Sequence, residues 1–135
     1  RVSLPTKEAL ITKNDDAMKF WANADKFPKN LFVEYVKRLQ KTSPNLINER
    51  MNFKDRQLKI NPTKIKCEIV IVTGEQDTRH PYEEDKKLHD FFRRYGIKSK
   101  FLWLPYEKIC GNGHMMMIEN NQQVIINRIY SLCFG

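Results

Sequence analysis

The chain has 135 residues, 41% of them hydrophobic and 30% charged, a length near the mode for a single domain and a balance that excludes a disordered chain. No stretch approaches the roughly 20 uninterrupted apolar residues of a membrane span, so we expect no transmembrane segment. The net charge of +8 is spread along the chain, with no run of more than two basic residues, which argues against nucleic acid as the partner.

Arg1-Val2-Ser3-Leu4-Pro5 carries neither an initiator Met nor an apolar signal core, so a processed or truncated product is expected. Cys67, Cys110 and Cys133 are odd in number and form no C-x-x-C pair. That spacing points to neither a disulfide framework nor a zinc site. The cysteines read as buried or half-buried thiols of a reducing compartment, and no metal or cofactor is implied.

The first sixty residues read as a polar, helical segment. Asn14 is a candidate cap for a short helix with Asp15 and Asp16 in its first turn. Pro28 suits the first turn of a second helix, where Phe32, Tyr35, Val36 and Leu39 share one apolar face. Thr42-Ser43-Pro44-Asn45 has turn chemistry and ends it, and residues 46 to 59 are a weaker helical candidate. Asn61-Pro62 marks the boundary between a helical segment, 1–60, and an α/β part, 61–135.

Beyond that boundary the pattern sharpens. Glu68-Ile69-Val70-Ile71-Val72-Thr73 is a continuous β-branched run stopped by Gly74, the texture of a strand buried on both faces of a parallel sheet. Pro81 opens a helix with Glu83, Glu84 and Asp85 in its first turn and Arg93-Arg94 in its last. Leu88, Phe91, Phe92 and Tyr95 form its expected inner stripe, and Gly96 stops it. Lys100 to Leu104 forms a second strand, ended by Pro105. A final helix follows, capped near Asn120 and apolar at Ile125, Ile129 and Leu132. Strand, helix, strand, helix is the order of parallel strands with crossover helices, so the fold class is α/β. Two doubly buried strands cannot cover themselves with the helices available, so further parallel strands are expected from polypeptide outside this chain.

In open parallel sheets, chemistry gathers on loops beyond the carboxyl ends of the strands. Here one such loop carries Gly74-Glu75-Gln76-Asp77-Thr78-Arg79-His80, and the other ends in Gly111-Asn112-Gly113-His114. Adjacent strands would bring Asp77 to His114. An acid that orients an imidazole is two-thirds of a nucleophile–base–acid relay. His80 and His89 read as ordinary surface residues, with His89 one helical turn beyond Asp85 as an i,i+4 pair. Met115-Met116-Met117 suits either an adaptable pocket or packing beneath the last helix. Trp21, Phe27 and Phe32 suit either a substrate wall or a small core, and Cys110 has nothing that marks it as a nucleophile.

The run from Cys67 to Asp77 resembles the strand and acid loop of α/β-hydrolases, whose chain order is Ser, then Asp or Glu, then His. Gly111-Asn112-Gly113-His114-Met115-Met116-Met117, followed by Glu119-Asn120-Asn121, is similar to the histidine loop of an esterase-like subgroup of that family. The resemblance runs from about Asn61 to the C-terminus and implies the C-terminal part of a serine hydrolase. Asp77 would be its acid, His114 its base, and residues 1–60 would correspond to an inserted helical cap. Relatives that place a Glu after the preceding strand make Glu8 the alternative acid.

No G-x-S-x-G elbow occurs: Ser3, Ser43, Ser99 and Ser131 all lack the flanking glycines, and the oxyanion-hole loop is missing as well. The implied partner is therefore an N-terminal part of the hydrolase, in the same precursor or a separate chain. The implied substrate is a small ester-type molecule. The alternative is a catalytically inactive α/β-hydrolase-like subunit with a structural or binding role.

Overall fold

The computed structural model describes residues 13–50 and 60–135. Within them the chain is mixed α/β, a two-stranded parallel sheet with helices packed on it. Strand β1 (Ile69–Thr73) pairs in parallel with β2 (Ser99–Trp103), Ile69 opposite Ser99 and Thr73 opposite Trp103. Helix α4 (Tyr82–Arg94) links them, and α5 (Gln122–Phe134) follows the second strand. Before the sheet come α1 (Asn14–Phe20), α2 (Phe32–Lys37) and α3 (Pro44–Arg50). No helix among the described residues is long and apolar enough to cross a membrane.

The pleat sorts the strand side chains between the two helices, because successive residues point to opposite faces. Odd-numbered positions face α4. Thr73 reaches Asp85, Phe101 stacks on His89, and Tyr82 packs on Phe101 and Trp103. Even-numbered positions face α5: Val72, Leu102 and Leu104 join Ile109, Met116, Ile125, Ile129 and Leu132 in one apolar cluster, and Lys100 donates to the Leu132 carbonyl at 2.7 Å. A second cluster holds Ala22, Ala24 and Phe27, packed by Phe32, Tyr35, Met115 and Ile118.

The helix boundaries carry their reasons. Lys13, not Asn14, stands at the N-cap of α1, and Asn14 is its first helical residue, with Asp15 and Asp16 in the first turn as expected. Pro28 precedes a short 3-10 turn, Lys29–Leu31, that runs into α2. Pro44 begins α3 rather than serving only to end α2, since a fixed φ near −65° fits a first helical turn. The weaker helical candidate is met only by α3, and its remainder lies outside the described residues. Asn61 caps the 3-10 turn Pro62–Lys64 by accepting from the Thr63 amide at 3.1 Å. In α4, acidic residues fill the first turn and Arg93-Arg94 the last, matching the helix dipole. Gly96 ends the helix with φ +72°, a conformation that favours glycine.

The inner stripe of α4 differs from its expected one. Asp85, His89 and Phe92 are its buried residues, whereas Leu88 is 41% and Tyr95 56% exposed. Two polar side chains occupy the inner face because each meets a hydroxyl on the strands. Thr73 Oγ1 donates to Asp85 Oδ2 at 2.6 Å, and Ser99 Oγ lies 2.9 Å from His89 Nδ1. His89 is thus a buried residue and does not pair with Asp85. Hydrophobicity alone could not assign that face.

The sheet is thinly covered. Ile69, Val70, Ile71 and Val72 are each only half-buried despite their continuous apolarity. Among the described residues, β1 has a strand partner on one edge only. Cys67 and Cys110 are exposed and Cys133 half-buried, all three as free thiols, so the expectation of buried cysteines fails for the first two. They lie on surface segments beside the sheet rather than on its inward faces.

Candidate functional site

Both loops at the carboxyl ends of the strands turn toward each other and touch. The Gln76 amide donates to the Asn112 carbonyl at 2.9 Å. A methyl group added at Gly74 would run into that same backbone carbonyl, so glycine is what permits the loops to close. Asp77 and His114 meet across this contact, with His114 Nδ1 lying 3.1 Å from Asp77 Oδ2. A carboxylate only accepts, so Nδ1 carries the proton and Nε2 is the nitrogen left to exchange one.

Asp77 is held from behind. Its other oxygen, Oδ1, accepts the backbone amides of Arg79 at 2.8 Å and His80 at 3.0 Å, an Asx-type turn that leaves Oδ2 aimed at the imidazole. The Asp77 side chain is 5% exposed and that of His114 27%. The carboxylate is therefore buried, with its hydrogen bonds made, and the imidazole opens to the surface. This is the division of labour that a relay needs.

The His114 turn is itself anchored from below. Glu119, fully buried, accepts the Gly113 amide at 2.9 Å and the Asn112 side-chain amide at 2.5 Å. Asn112 and Asn121 exchange a reciprocal pair of amide bonds, at 2.7 and 3.0 Å. The expected Asn cap of α5 is spent on this contact: Asn121 precedes the helix and makes no cap bond. Burial pushes the Glu119 carboxyl above its ordinary range, and the bonds from Gly113 and Asn112 oppose that rise. Met115 and Met116 pin the next residues to the two apolar clusters, one to each, while Met117 is 56% exposed.

The segment from Ala22 to Phe27 wedges against both loops. Asn23 Nδ2 donates to the Gln76 carbonyl at 3.1 Å, and Asp25 and Gln76 bond twice, at 2.8 and 2.7 Å. The Lys26 amide donates to the Gly111 carbonyl, and the Asn120 amide to the Lys26 carbonyl, both at 2.9 Å. Lys29 Nζ closes the segment by bonding the carbonyls of Ala22 and Ala24. A methyl added at Gly113 would meet the Ala24 methyl at 2.7 Å. Small residues on both sides are therefore what let the strap lie this close. Phe27, at 2% exposure, belongs to the core beneath it rather than to a wall facing substrate.

Sequence reasoning missed three participants: the strap, Glu119 and His80. The alternation of Ala22 and Ala24 was a visible trace of the first, and Glu119 stood inside the histidine-loop motif. His80 carried no signal, yet its ring stacks on that of His114 with centroids 5.3 Å apart and planes 12° from parallel.

The described serines do not complete a relay. Ser99 bonds His89 at the opening of β2, roughly 13 Å of strand rise from its carboxyl end. Ser131 lies within α5 and Ser43 just before α3. The Cys110 thiol is raised above its ordinary pKa chiefly by its hydrogen bond with Glu75, which keeps it protonated and a poor nucleophile. Glu8, the alternative acid, falls outside the described residues. A surface depression of about 410 Å³, lined by Glu68, Arg93, Ile97 and Lys98 among others, sits at the amino ends of the strands, the far end of the sheet from Asp77. Among the described residues no group of three or more His, Cys, Asp or Glu side chains is placed to hold a metal ion.

Comparison of the chain with protein-family models, curated proteins and solved structures finds no match.

Proposed function

We propose that this chain supplies the acid and the base of a serine hydrolase, the C-terminal part of an α/β-hydrolase whose nucleophile comes from polypeptide outside it. The observation that carries the reading is the Asp77–His114 bond at 3.1 Å, made by a buried, doubly capped carboxylate at the carboxyl ends of adjacent parallel strands. In this reading a serine hydroxyl attacks the carbonyl of a small ester-type substrate while His114 Nε2 takes its proton. His114 then returns that proton to the leaving alcohol, and Asp77 keeps the tautomer and steadies the imidazolium. Oxyanion donors come with the nucleophile.

The half-buried faces of β1, and the edge of it that has no strand partner among the described residues, fit the same reading, because a continuous apolar strand is built to be covered on both sides. The proposed N-terminal part is the partner those surfaces would receive. The absence of a G-x-S-x-G elbow favours the second reading, an inactive subunit that keeps the architecture.

A fluorophosphonate probe applied to native material separates the two. A labelled polypeptide associated with this chain, its labelling lost in His114→Ala, is expected. No label on any associated polypeptide assigns the chain to the inactive class.

A further inference from the structure

His80 sits where no ordinary surface histidine needs to be. Its backbone amide is fixed on Asp77 Oδ1 at 3.0 Å, and its ring Nδ1 lies 3.4 Å from Oδ1 of Asp85. Asp85 is buried and tied in turn to Thr73 Oγ1, at the last residue of β1. His80 is thus tethered at two points, one on its backbone and one on its ring, and the ring stacks on that of His114. These contacts close a circuit. Asp77 holds His114 with one oxygen and the His80 backbone with the other, and the His80 side chain returns to His114.

An imidazole bonded only through Nδ1 can still swing about its Cβ–Cγ bond, a torsion with a broad profile. A flat partner on one face removes that freedom. We propose that His80 is a positioning residue for His114, its stacked ring holding the imidazole in line with the Asp77 carboxylate so that Nδ1 stays the protonated nitrogen. The inference rests on the relay reading for its catalytic meaning, but the contact itself needs no nucleophile. Offset stacking is one of the arrangements aromatic pairs favour, and the near-parallel rings of His80 and His114 fit it.

The test uses the chain as it is, labelled with ¹⁵N, at alkaline pH. Two-bond ¹H–¹⁵N correlation reads which nitrogen of His114 bears the proton. The wild type should show mainly the Nδ1–H form. His80→Ala should shift His114 toward a mixture of the two tautomers. His80→Phe, which keeps a flat ring and loses the Asp85 tether, should recover most of the Nδ1–H population. His80 is exposed, so both variants should fold, and their thermal midpoints provide the check.

An unchanged His114 tautomer in His80→Ala overturns the inference. So does equal loss in the Ala and Phe variants, which would assign the effect to the Asp85 tether instead of the stack. A wild type without the Nδ1–H form removes the Asp77 bond and the inference with it. Absence of fluorophosphonate labelling beside the expected tautomer pattern defeats the hydrolase reading alone and leaves the positioning role standing.

Discussion

The rim of this sheet and its body are finished to very different degrees. At the rim Thr73, Asn112 and Glu119 are completely buried and Asp77 nearly so, all of them hydrogen-bonded. In the body, the most apolar run of the chain, Ile69 to Val72, is left half-buried. Polar residues usually stay wet and β-branched ones go dry, and here the order is reversed. The lesson is that the rim is closed by its own hydrogen-bond network, whereas the strand faces are only half covered among the described residues.

The comparison can be broken first at its centre. Asp77→Asn keeps one acceptor, which the amides of Arg79 and His80 will claim, and turns its NH₂ toward His114 Nδ1. That forces the proton to Nε2, the wrong tautomer for a base. If the proposed hydrolase is reconstituted, its turnover should fall about 10⁴-fold with little change in thermal midpoint, measured as kcat/KM and by calorimetry. A fall of less than tenfold would show that Asp77 is not the orienting acid.

Next comes the support beneath. Glu119→Ala leaves the Gly113 amide and the Asn112 side chain without their acceptor and opens a void, at a cost of about 3 kcal/mol in urea unfolding. Glu119→Gln retains an acceptor for Gly113, and the Asn112–Asn121 amides can reorient around it, so its cost should stay below about 1 kcal/mol. The pH dependence gives the sign. The folded pKa is raised above 4.5, so the Glu119 contribution is full below that value and is lost as pH rises through the folded pKa. The Gln variant should lose that decline.

The body of the sheet supplies the contrast. Leu104 is 0% exposed, and Leu104→Ala should cost about 3 kcal/mol. Ile71→Ala removes a side chain of the same size from a half-buried site, and should cost roughly half as much in this chain. A cost equal to that of Leu104→Ala would show β1 to be fully covered already. The Ile71 value should climb toward that of Leu104 if the proposed N-terminal partner is added.

The smallest effect is acid sensitivity from His89. Burial is the first cause that lowers its pKa below 6.5, with Lys86 adding to it. Its stabilisation is therefore complete above pH 6.5 and fades as pH falls through the folded value. His89→Gln should flatten the stability curve on that acid side by about a few tenths of a kcal/mol, read from urea unfolding across the pH range.

Much of the α/β part was legible because its signals are local. The strands follow from Ile69–Thr73 and the apolar run around Phe101, and α4 from its charged ends and Gly96. Proline and glycine mark the breaks. The inner face of α4 was not legible: Leu88 and Tyr95 are more apolar than Asp85 and His89, and only the hydroxyls of Thr73 and Ser99, brought in from the strands, make the polar residues the inward ones. For the candidate site, the meeting of Asp77 with His114 could be expected from the loops they sit on, and the two side chains do meet. Their support could not, because Glu119, Asn112 and the strap meet only after the chain has folded.

What the residues determined unaided is therefore a pattern of strand, acid loop, helix, strand and histidine loop, since each rests on chemistry within a few positions. Tertiary structure alone decided that residues 22–27 lie across both loops, that a second imidazole covers the first, and that a glutamate is buried beneath the turn. Hydrogen bonds and ring contacts between distant segments carry no sequence period, so nothing short of the folded backbone could bring them together.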